Sequence, residues 1–165
     1  MTQQQAGPAA PEAVQALLQQ VRERAERAGV FDAVSLAPGR LACAAREAAA
    51  PAEYRVEWAE GRLWAGLYTE DRWLSQSIEA DLVHTGDKME DLVDEELVDL
   101  GCDAGPLPVE HFRSEDMLYT FRSALPIDVS RAGDEASIGI AASALLAYEA
   151  AFRELGDMAG GDEDE

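Results

Sequence analysis

The chain reads as an α+β protein built on a single antiparallel sheet flanked by helices, in the order α-β-β-β-α-β-β-α. Three observations predict this. Segments near both ends and one in the middle carry apolar residues at helical spacing, whereas residues 54 to 82 alternate apolar with polar. The strand-like runs are joined by short turns, and short turns connect only antiparallel neighbours. No regular βαβ alternation is present, which argues against a parallel sheet.

Residues 1 to 10 are mostly Gln, Ala, Gly and Pro, and residues 157 to 165 read DMAGGDEDE from Asp157 without a packable apolar set, so both ends are expected to be tails around one domain at 11–156. From Pro11 to Gly29, Val14, Leu17, Leu18, Val21 and Ala25 make one helical stripe, opened by proline and closed by glycine. Residues 33 to 46 suggest weak strands either side of Pro38-Gly39. A three-stranded meander follows the alanine-rich linker. It uses Tyr54, Val56 and Trp58, then Leu63, Ala65 and Leu67, then Leu74, Ile78, Ala80 and Leu82, turning at Glu60-Gly61 and at 69–72.

Residues 87 to 100 return to helical spacing through Met89, Leu92, Val93, Leu97 and Leu100, with Asp87 and Glu90 placed as a capping box and Gly101 beyond the end. Two strands are expected at 109–113 and 117–125, setting His111 opposite Tyr119 and ending before Pro126. A final helix over 135–155 carries Ile138, Ala141, Leu145, Tyr148, Phe152 and Leu155.

A turn at Glu60-Gly61 sets Trp58 opposite Leu63, Val56 opposite Ala65 and Tyr54 opposite Leu67, all on one face. The second turn sets Tyr68 opposite Trp73. The other face then carries Trp64, Tyr68 and Trp73 among polar residues, the composition of a partner-binding patch. A covering helix, making this face a second core layer, fits the same pattern.

Thirteen Lys and Arg against thirty-three Asp and Glu give a net charge of −20, which disfavours nucleic acid and anionic lipid and favours basic partners. Hydrophobic content of 47% is high enough for a folded core. The start MTQQQAGPAAP has neither a basic nor an apolar run, and no segment offers about twenty uninterrupted apolar residues, so a soluble, cytoplasmic protein is expected. Acid is densest on the middle helix, where Asp91, Asp94 and Glu95 fit either a solvated helix face or a docking surface for a basic segment.

No motif names a reaction. No G-x-S-x-G, phosphate-cradling glycine loop or calcium loop occurs. Cys43 lies in an alanine-rich run, and Cys102 sits at a helix end beside acids rather than beside the cations that would activate a thiol. They could form at most one bridge. His84, Asp87 and His111 supply the alternative, a small metal-dependent enzyme or regulator, although divalent sites ordinarily need three or four convergent ligands. The expectation is no catalytic residue, no metal and no cofactor.

The hairpin YRVEWAEGRLWAGLY, the acidic helix DKMEDLVDEELVDLG, the hairpin VEHFRSEDMLYTFRSALPI and the closing ALLAYEAAFRELG together resemble the type III secretion chaperone-like and YbjN-like group of small acidic bacterial proteins. The resemblance spans residues 11 to 156 as a pattern of element order and charge. It implies a helix-flanked antiparallel sheet and a non-enzymatic, often dimeric protein, which in the chaperones holds an unfolded partner along apolar patches and in the YbjN-like members has a regulatory or adaptor role. A partner would then meet Trp64, Tyr68, Trp73, Asp91, Asp94 and Glu95, and the small-residue stripe Ala141, Ala144, Ala147 and Ala151 fits either close homodimer pairing or packing within the chain.

Overall fold

The computed structural model describes residues 10–46, 51–86, 88–102, 106–113 and 118–154. The expected tails apart from Ala10, Asp87 of the capping box, the 114–116 turn, Leu155 and Gly156 lie outside them. Helix α1 (Glu12–Ala28) leads into strands β1 (Phe31–Ala37), β2 (Arg40–Ala45), β3 (Ala52–Ala59) and β4 (Arg62–Thr69). Helices α2 (Arg72–Thr85) and α3 (Met89–Asp99) follow, then β5 (Glu110–Arg113), β6 (Tyr119–Ala124), a 3-10 turn at Val129–Arg131 and α4 (Glu135–Glu154).

The six strands form one antiparallel sheet in the order β1-β2-β3-β4-β6-β5. The first hairpin keeps the expected register, with Trp58 opposite Leu63, Val56 opposite Ala65 and Tyr54 opposite Leu67. Glu60 and Gly61 both have positive φ, 55° and 76°, the conformation that a two-residue hairpin matched to strand twist requires. Pro38-Gly39 closes the β1–β2 hairpin as expected.

The third meander strand is a helix. Leu74, Ile78 and Leu82 are spaced by four as well as by two, so the pattern suits both periods, and the Asp71 side chain decides by accepting the Leu74 N–H at 2.7 Å. Tyr68 therefore pairs with Thr120 of β6 rather than with Trp73. The last hairpin is shifted from expectation by two residues, and His111 lies opposite Phe121, not Tyr119.

One core fills the space between the sheet and the helices. Val14, Leu17, Leu18 and Val21 of α1 meet Leu41, Tyr54, Val56 and Leu67 from the strands and Leu145, Tyr148 and Phe152 from α4. Tyr148 is fully buried, and its hydroxyl is satisfied by Ser123 Oγ at 2.6 Å. Of the middle helix, Met89, Val93 and Leu97 are buried, whereas Leu100, expected on the same stripe, is 46% exposed. Residues 135–153 of α4 have a mean hydropathy of 1.2 with 61% buried inside the fold, the character of a core helix. Ala141, Ala144, Ala147 and Ala151 are buried against their own chain, the packing alternative for that stripe.

Candidate functional site

Strand β4 places Trp64, Gly66 and Tyr68 on the side opposite Leu63, Ala65 and Leu67, hence away from the core between the sheet and the helices. The side of the sheet is as expected, and of the two readings left open there, exposed patch or covered layer, these two residues do not form an exposed patch. Trp64 and Tyr68 are each only 5% exposed. Arginines contribute to the seal. The Arg122 guanidinium lies 3.6 Å from the Trp64 ring centre and that of Arg55 lies 4.3 Å from the Tyr68 ring centre. Glu53 and Glu57 hold Arg55, and Glu60 and Glu110 hold Arg122.

A planar, weakly hydrated guanidinium stacks well on an aromatic face, so the flanking glutamates hold arginines over the rings. Trp64 Nε1 donates to the Ala59 carbonyl at 2.8 Å. The Tyr68 hydroxyl is buried without a partner among the described residues, and burial pushes its pKa well up. Four arginines here, Arg40, Arg55, Arg62 and Arg122, balance four glutamates, Glu53, Glu57, Glu60 and Glu110, so the acidic excess of the chain resides elsewhere. A concavity of about 670 Å³ opens beside this layer, lined by Arg40, Glu53, Arg55, Tyr68 and Glu70 among others. Its Arg55 is already paired on both sides.

Trp73 goes elsewhere. It occupies the first turn of α2 and is 73% exposed. Helix α2 packs on the core side of the sheet, where Ser75 Oγ lies 3.1 Å from His111 Nε2 and Glu79 Oε2 lies 3.0 Å from His111 Nδ1. The imidazole stacks on Phe121 with ring centres 3.8 Å apart and planes 8° from parallel. Serine, histidine and glutamate in that order resemble a hydrolytic triad. Ser75, however, is 2% exposed within a helix, so an incoming carbonyl has no approach to its hydroxyl. The arrangement ties β5 to α2. Desolvation lowers the His111 pKa, with Glu79 opposing that shift.

Beside this tie runs a groove of about 500 Å³ between α2, the start of α3 and β5. Val83, Met89, Val109 and Phe121 supply its apolar lining, and Glu79 and Glu90 its carboxylates. Sequence spacing does not show it, because the groove joins Glu79 and Val83 of α2 to Val109 and His111, which are distant in the chain. His84 is exposed near the end of α2, and the ring nitrogens of His111 engage Ser75 and Glu79 rather than His84. Asp87 lies outside the described residues, among which no three His, Cys, Asp or Glu side chains converge on a metal position.

The expected acidic contacts lie on α3, with Asp91 and Glu95 exposed and Asp94 half-buried. Both cysteines are free. Cys43 is buried, and its thiol is pushed up to about 12, first by burial and then by Glu53 and Glu26, so it is not an activated nucleophile. The chain matches no family model, no curated protein and no solved structure.

Proposed function

We propose that the chain is a non-enzymatic protein-binding module, similar in role to secretion chaperones or YbjN-like adaptors, that holds a protein partner on its α2–α3 side. One observation carries this reading. Among the described residues the exposed large hydrophobics are Trp73, Val83, Val98 and Leu100, at 73%, 82%, 64% and 46%, and all four belong to α2 or the end of α3. Water-facing apolar groups concentrated on one pair of helices, in a chain of net charge −20, suit a surface that becomes covered. Trp64 and Tyr68 act in this reading as structural residues. Trp73, Asp91, Asp94 and Glu95 remain the contact residues, joined by Val83 and Val98.

The test is a holding assay with thermally unfolding citrate synthase as client. The wild-type chain should suppress light scattering at near-stoichiometric ratio. A Trp73→Ser/Val83→Ser/Val98→Ser variant should lose that suppression while keeping its far-UV circular dichroism and melting temperature. Failure of the wild-type chain to suppress scattering removes the holding role, and full suppression by the triple variant removes the α2–α3 surface.

A further inference from the structure

The groove between α2, α3 and β5 combines features that define what it would hold. Its lining is apolar, through Val83, Met89 and Val109, and its carboxylates Glu79 and Glu90 outnumber its single cation Lys88. Helix α3, which begins at the groove, carries Glu90, Asp91, Asp94, Glu95, Glu96 and Asp99 with no cation. One flank is β5, the terminal strand of the sheet order, hydrogen-bonded to β6 alone among the described strands.

We infer that this groove is the docking site for an extended segment of a partner protein, in which a short apolar run is flanked by lysine or arginine. The inference rests on the protein-binding reading above and specifies its partner. The apolar run would enter between Val83 and Met89, and its cations would meet Glu79, Glu90 and the acids of α3. The backbone of an extended segment suits the open side of β5, because an edge strand leaves N–H and C=O groups free for an added strand. Charge favours a basic segment over an acidic one, since the field of the whole chain and the local carboxylates have the same sign.

The probe is a fluorescein-labelled peptide of two lysines, Val-Leu-Val and two lysines, followed by anisotropy at low salt. Binding should weaken as salt is added, and a control with glutamate in place of every lysine should not bind. Val83→Lys puts a long cation at the groove wall on a side chain that is 82% exposed, so the fold should tolerate it. It should raise Kd by about tenfold or more, ~1.4 kcal/mol, with an unchanged melting temperature. Equal affinity of Val83→Lys and wild type overturns the groove. So does binding that survives Val83→Lys yet disappears in Asp94→Asn/Glu95→Gln, which would place the peptide on α3 alone. Because the peptide assay needs no unfolded client, a negative result there with intact holding activity refutes the groove and leaves the wider surface standing.

Discussion

Gly66 stands between Trp64 and Tyr68 on β4, where a Cβ would fall 2.5 Å from the Phe121 carbonyl oxygen and 2.9 Å from Arg122 Cβ. Its backbone is ordinary for a strand, so the constraint is close approach rather than an unusual dihedral. Strand β6 comes near enough at this point for Arg122, which faces Gly66 across the ladder, to reach the Trp64 ring. Gly66→Ala should therefore force β4 and β6 apart and cost about 1 to 3 kcal/mol, read as a lower urea midpoint by tryptophan fluorescence. An unchanged midpoint would mean that the strands have room the close contact denies. Arg55 and Arg122 show why exposure escaped the sequence: strand parity places Trp64 and Tyr68 on a face, but only the pairing of β4 with β6 brings Arg122 over that face.

Helix α2 depends on a single side-chain cap. Asp71 Oδ1 accepts the Leu74 N–H, while the Thr69 hydroxyl accepts the Asp71 N–H at 3.0 Å, so the chain leaves β4 and turns within two residues. Asp71→Ala should cost about 1 kcal/mol and lower the melting temperature, whereas Asp71→Asn should recover most of the loss, because asparagine caps as well. Equal stability of the two variants would assign the start of α2 to packing alone. The same helix marks how far the sequence was legible. Elements with one dominant period were readable: the Val14 to Ala25 stripe, the Tyr54 to Leu67 hairpin and the Met89 to Leu97 stripe all lie where their spacing puts them. Leu74, Ile78 and Leu82 satisfy two periods at once, and a cap formed by the preceding aspartate settled the choice. The groove could not be seen from spacing at all, since it joins Val83 to Val109 and His111 across an intervening helix and loop.

At the scale of the whole molecule the balanced outer sheet face contributes none of the acidic excess, and among the described elements α3 concentrates it, with six acids and no cation. Glu90 and Asp91 lie in the first turn of that helix, where negative charge complements the helix dipole. Asp94 and Glu95 gain nothing from position, and Asp99 sits at the end where negative charge is unfavourable. A chain of net charge −20 also repels itself in the compact state, and salt screens that repulsion over about 10 Å at 0.1 M. The melting temperature should therefore rise between low and roughly half-molar sodium chloride. An Asp94→Asn/Glu95→Gln/Asp99→Asn variant should melt higher than wild type at low salt and gain less from added salt. If these carboxylates are kept for a basic partner, the variant that is more stable should also bind the lysine-flanked peptide more weakly, an exchange of binding for stability. A variant that is no more stable at low salt would show that local pairing already compensates the α3 acids, and the argument that charge is retained there at the expense of stability would fail.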